Sequence, residues 1–196
     1  MGMFLPANAS FRRLAWSDFN TRSLPAPAPG VTQRGAQTSV NMNIQPNSFH
    51  FRRAEFLKPP NFKMDEDPNV TVTLNSPQMW VASWVLSSPL AFQNDLLNHE
   101  QGHYEISMLN ASDVFKELLT INGGAFASAR AGVAALKDMQ SRLFNVQAIH
   151  NKYDLDTNHG LNPGMQTAWD TALRTARITF VHPSLRTALA NAGLFR

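Results

Sequence analysis

The sequence predicts an α+β fold, and three observations predict it. Short runs between residues 37 and 86 alternate apolar and polar side chains, the pattern of half-buried strands. From residue 87 onward apolar positions recur at helical spacing between caps and glycine breaks. The chain has 196 residues, 43% of them hydrophobic and 16% charged, enough apolar side chain to build a sizeable core. A single domain over residues 1–196 is expected, with an N-terminal segment (1–36), a sheet region (37–86) and a helical region (87–196).

In order along the chain, "SLPAPAPGVTQRG" places Pro25, Pro27 and Pro29 at alternate positions, which favours an extended arm that is a candidate for regulating whatever site follows. "TSVNMNIQ" sets Val40, Met42 and Ile44 on one face, and "SFHFRRAEFL" is rich in aromatics. "LKPPNFKMDEDPN", with Pro59, Pro60 and Pro68, reads as a loop. "NVTVTLN" repeats the alternation with Val70, Val72 and Leu74, and "MWVASWVL" is apolar on both faces, as a buried strand is. Together they predict a small, mainly antiparallel sheet.

The pattern then changes. Ser88 can cap a helix whose first position is Pro89, and helical spacing runs through "LLNHEQGHYEISMLNASDVFKELLTING" to stop at Asn122-Gly123-Gly124. It resumes over "AFASARAGVAALKDMQSRLFNVQAIHNK". Asn162 and Pro163 open a further helix, and a short one is expected after Pro183. Trp16, Trp80, Trp84 and Trp169 read as core aromatics.

Composition excludes several classes of function. There are no cysteines, hence no disulfides, thiolate metal sites or cysteine nucleophile. No run approaches 18 apolar residues, so no membrane-spanning segment is expected. The opening "MGMFLPANASFRRLAW" shows no basic stretch followed by a long apolar one, so no signal peptide is visible. Net charge is +3, but basic pairs such as Arg12-Arg13 and Arg52-Arg53 lie far apart, which fits a solvated surface and argues against a nucleic-acid stripe.

The chemistry gathers in "LLNHEQGHYEI", residues 96–106, where His99, Glu100 and His103 stand as H-E-x-x-H. On a helix, residues four apart project from one face a turn from each other, so both imidazoles can reach one ion. Glu100 is angled to approach a metal-activated water rather than the metal, which makes it the candidate general base. With this chain's six histidines and its glutamate content, chance would place the motif in about one such chain in two hundred.

A catalytic zinc needs a third protein ligand and an open position. A further histidine six residues after His103 would sit at 109 behind a glycine at 106; these positions hold Leu109 and Ile106. Glu105 points about 200° away from His103 around the helix, and Glu117 lies about 21 Å further along it. The remaining candidate is "HNKYDLDTNHG", read as a polar loop able to fold over the helix. His159 is the first choice as third ligand, with Asp154 and Asp156 as alternatives, or as orienters of a histidine ligand if His159 binds. Tyr153 is a candidate donor to the oxyanion of the tetrahedral intermediate. His150 reads as the end of a helix, and His50 and His182, which have no motif partner in the sequence, as surface or satisfied-core residues.

Four stretches, "LAWSDF", "SWV", "LLNHEQGHYEI" and "YDLDTNHGLNPGMQTAW", stand in this order from Leu14 to Trp169. In this combination the chain resembles a bacterial family described as secreted zinc-dependent proteases and carried as a domain of unknown function. The resemblance implies a zincin-like fold, bound Zn2+, a peptide or protein substrate, and export to the periplasm or beyond. The function expected from motif and resemblance is a zinc metalloendopeptidase with Glu100 as base. The alternatives are a zinc-binding interaction protein or delivered factor without proteolysis, and a hydrolase of non-peptide amides.

Overall fold

A computed structural model describes residues 11–28, 34–45, 48–54, 61–178 and 184–195. Seven short strands lie in the first part of the chain: β1 (Asn20–Arg22), β2 (Ala36–Gln37), β3 (Val40–Gln45), β4 (Phe51–Ala54), β5 (Asn61–Met64), β6 (Asn69–Leu74) and β7 (Trp80–Ala82). Six helices are described: α1 (Ser83–Leu86), α2 (Leu90–Gly123), α3 (Ala129–Leu143), α4 (Val146–Thr157), α5 (Pro163–Ile178) and α6 (Ser184–Asn191). The fold is mixed α+β, as expected, with small sheets.

The strands form three sheets rather than one: β1-β7-β2, β3-β6 and β4-β5. The β3–β6 pair follows the alternation in the sequence, with Met42 opposite Val72 and Ile44 opposite Val70, all on the face turned to the core. Three assignments differ from expectation. β5 forms within the proline-rich segment, where pairing to β4 and a bridge between Phe62 and Phe126 supply partners that local composition does not reveal. β1 falls in the N-terminal segment and pairs parallel to β7, and a parallel partner leaves no hairpin signal. "MWVASWVL" divides into strand β7 and the single turn α1, since a short run apolar on both faces fits either state.

Helix α2 is the organising element. At 34 residues it runs about 51 Å, and it has a core on each side. Leu96, Tyr104, Met108, Ala111, Val114, Leu118 and Ile121 join the sheets and α3, while Ile106 and Leu109 join α4, α5 and α6. The turn at Phe144-Asn145 splits the expected long helix because the chain crosses there from one core to the other. Leu143 is buried in the first and Ile149 in the second.

The ends of the helices follow their capping chemistry. The Ser128 hydroxyl accepts from the Ala131 amide at 3.1 Å, and the Asn162 side chain accepts from the Met165 amide at 3.2 Å with Pro163 as the first helical residue, as the sequence predicts. Ser88, in contrast, bonds back to the Trp84 carbonyl at 2.9 Å and does not cap α2, whose flanking residue is Pro89. Residues 23–28 adopt neither helix nor strand, in keeping with an extended arm, and Pro27 borders the cleft described below. Pro29, Pro59, Pro60, His182 and Pro183 lie outside the described residues.

Candidate metal centre

His99 and Glu100 are buried and His103 half-buried where α2 faces α4. Gly102 permits this approach, because a Cβ there would stand 2.1 Å from the Tyr153 hydroxyl oxygen. The Tyr153 ring stacks on that of His99 with centroids 4.7 Å apart and planes 11° from parallel. Its hydroxyl donates to the His99 carbonyl at 3.1 Å and accepts from Gln166 Nε2 at 2.6 Å. The expected role of Tyr153 as oxyanion donor is therefore corrected: the residue is wholly buried and its hydroxyl is committed to the helix it supports. Burial pushes the phenol up, which keeps it protonated.

"YDLDTNHG" is also not the loop that its polarity suggests. Tyr153, Asp154 and Thr157 occupy the last turns of α4, and only the residues after Thr157 leave the helix. That helical phase selects Asp154. Its Oδ1 lies 3.1 Å from His99 Nε2 and 2.9 Å from His103 Nε2, and ligand atoms from all three residues lie within 4.8 Å of one another, so that this group could hold a metal ion. Asp156, two residues on, turns to the far side of α4, where it pairs with Lys152 and accepts from Trp169 Nε1 at 3.1 Å.

His159, the first choice from sequence, reaches the centre without joining the converging set. Its Nδ1 stands 3.3 Å from Asp154 Oδ1, and its ring centroid is 6.2 Å from that of His99. It arrives there on an unusual backbone: Asn158 (φ 48°), His159 (φ 54°) and Gly160 (φ 85°) are all left-handed. Gly160 has a second constraint, since a Cβ there would lie 3.0 Å from the Cβ of His99.

The partners of each imidazole fix its tautomer. Thr157 spends its hydroxyl hydrogen on the Tyr153 carbonyl at 2.7 Å, so it accepts from His99 Nδ1 at 3.2 Å, with Gln166 Oε1 a second acceptor at 3.4 Å. His99 Nε2 is then a bare lone pair. On the other ligand, the Ser107 hydroxyl donates to the His103 carbonyl at 3.2 Å and accepts from His150 Nε2 at 3.2 Å. Burial, with His103 beside it, pushes His150 down to about 3, so the ring is neutral and its Nδ1 accepts from His103 Nδ1 at 2.9 Å. His103 Nε2 is bare as well.

Two lone pairs and a carboxylate oxygen thus converge, and a cation among them removes their mutual repulsion. The carboxylate is that of Asp154, whose Oδ1 faces both Nε2 atoms. The second oxygen, Oδ2, meets the Arg34 guanidinium at 3.2 Å. His150 was expected merely to end a helix; it sits in the middle of α4 and orients His103. The signal for it lay in the 4- and 3-residue steps from His150 to Asp154 to Thr157, one face of a helix.

Around the centre opens a cleft of roughly 500 Å³. Residues 35–40 form one side, including β2, which among the described residues is an edge strand paired with β7. Trp84, Phe92 and Leu96 give an apolar wall, and His99, Glu100, His103, Asp154 and His159 reach the cleft from α2 and the end of α4. Glu100 is 3% exposed, and its Oε2 is a buried oxygen without a hydrogen-bond partner among the described residues. Other titratable candidates lie elsewhere: Glu117 pairs with Arg142 at 2.8 Å, Glu105 with Arg177 at 3.5 Å, and His50, at the surface, with Glu66 at 2.5 Å. Comparisons with protein-family models, curated proteins and solved structures find no match to this chain.

Proposed function

We propose that the protein is a zinc-dependent peptidase, with His99, His103 and Asp154 as metal ligands and Glu100 as general base. The observation that carries this reading is the unpartnered Glu100 oxygen, buried beside two bare imidazole nitrogens and a carboxylate in an open cleft. Two imidazoles and one carboxylate would make a three-ligand set, the composition of a catalytic rather than a structural zinc site. Zinc held there supplies Lewis acidity, polarising a carbonyl and making a water nucleophilic near neutral pH.

The chain's own residues supply the rest. Glu100 takes a proton from the attacking water as the water oxygen bonds to the carbonyl carbon, and it delivers that proton to the leaving amine nitrogen as the C–N bond breaks. Tyr153, Thr157 and Gln166 hold His99, and His150 with Ser107 holds His103, so both Nε2 atoms stay aimed at one point. β2 ends its sheet among the described residues, and an extended peptide laid along that edge would favour flexible or unfolded substrates. The resemblance of the "HEQGH" and "YDLDTNHG" stretches to secreted zinc-dependent proteases points the same way and adds export as part of the proposal.

Glu100→Gln is the test. Cleavage of a mixed peptide library falls by about 10²–10⁴-fold in kcat while bound zinc stays at the wild-type level. Zinc binding by a wild type that cleaves nothing in the library overturns the enzymatic reading in favour of a zinc-binding interaction protein.

A further inference from the structure

Gly35 fixes the start of the cleft wall formed by residues 35–40. A Cβ there would stand 2.8 Å from Val85 Cγ2 and 3.0 Å from Leu96 Cδ2, and the Gly35 carbonyl accepts from the Ala82 amide at 2.7 Å. Ala36, the next residue, is buried and pairs with Val81. The backbone that follows Arg34 is therefore pinned against Val85 and Leu96 of the first core, whereas Asp154 stands on α4, whose Ile149 and Tyr153 belong to the second. From this fixed base the half-exposed Arg34 side chain lines the cleft and reaches α4, with Nη2 3.2 Å from Asp154 Oδ2.

The two oxygens of Asp154 thus have separate partners. Oδ1 faces the Nε2 atoms of His99 and His103 at 3.1 and 2.9 Å, with His159 Nδ1 at 3.3 Å, while Oδ2 accepts from Arg34. A carboxylate can give a metal one oxygen or both, and a guanidinium, which is always charged, competes for the oxygen it holds. We infer that Arg34 is a positioning residue for the metal centre: by holding Oδ2 it makes Asp154 a ligand through Oδ1 alone, which leaves a coordination position for the attacking water. This rests on the ligand set of the peptidase reading above. As a half-exposed ion pair the contact adds little to stability, so the fold is expected to survive its removal.

The test compares the wild type with Arg34→Met, which removes the charge and its donors, and Arg34→Lys, which keeps a charge and a donor. Zinc affinity is read by chelator competition. Coordination number is read from the visible absorption of Co2+ bound in place of zinc, whose bands weaken as a fifth ligand atom joins four. In Arg34→Met, zinc affinity equals or exceeds that of the wild type, the Co2+ bands lose intensity, and cleavage of the mixed peptide library falls about 10–100-fold. Arg34→Lys recovers the Co2+ bands and part of the rate.

Zinc affinity that falls in Arg34→Met shows a contact that merely keeps Asp154 in place, and overturns the inference. Unchanged Co2+ bands in that variant do the same, whatever its activity. A wild type that holds zinc yet cleaves no peptide overturns the peptidase reading alone, because the Co2+ bands of Arg34→Met still decide how Asp154 binds. A wild type that takes up neither ion overturns both.

Discussion

A methyl group at position 102 would sit 2.1 Å from the Tyr153 hydroxyl oxygen and 2.5 Å from the ring carbon that bears it. Gly102→Ala must therefore push Tyr153 away from His99, and overpacking of this kind costs about 1–3 kcal/mol. Urea denaturation is expected to show that loss, with the zinc affinity reduced as well because the His99 ring loses its stacking partner. His150 gives a second prediction at this scale. Its replacement by Ala leaves His103 Nδ1–H without its acceptor, and zinc affinity measured by chelator competition falls about 10–100-fold. The same residue sets a pH dependence. Its folded pKa of about 3 lies below the ordinary 6.5, so the unfolded chain binds the proton first, and the metal-free protein loses stability as pH falls from about 6.5 towards 3.

Among the elements, α6 shows how a buried charge can order a helix. Asp113, on α2 and 1% exposed, accepts from the Ser184 amide at 2.7 Å, the Ser184 hydroxyl at 2.9 Å and the Leu185 amide at 3.0 Å. It thus satisfies the amides at the start of α6 and places negative charge at the positive end of its dipole. Asp113→Ala is expected to destabilise the protein by about 2–3 kcal/mol, and hydrogen exchange should locate the loosening in α6. The position of α2 was legible because its motif, spacing and glycine stop are all local. The extent of α4 was not: the polar residues of "YDLDTNHG" resemble a loop by composition, and their helical state comes from the burial of Ile149, Tyr153 and Thr157 against other elements. β1 and β5 escaped for the same reason, since each is a strand only by virtue of its partner.

For the whole molecule, α2 has a core on each side, and the proposed zinc would tie α2, through His99 and His103, to α4, through Asp154. Binding to the folded state alone stabilises it by about 4 kcal/mol at a thousandfold excess of free metal over Kd. Removal of zinc with a chelator is expected to lower the Tm of the wild type, and to leave that of Asp154→Asn close to its own metal-free value. Unchanged thermal denaturation in the wild type counts against a site that bridges two elements.

The sequence by itself determined the helix that carries His99, Glu100 and His103, their shared face, and the mixed architecture, because each depends on spacing within a few residues. Only the tertiary structure decided which residue faces the pair from fifty positions away. Asp154, not Asp156, turns towards it because α4 persists to Thr157 and each residue on a helix is rotated by 100° from the last. Tyr153 lies beneath the site rather than in it because Gly102 leaves room there, and His150 joins it because two separate helices cross at His103. Those are facts of packing between segments, and a local pattern of residue types does not contain them.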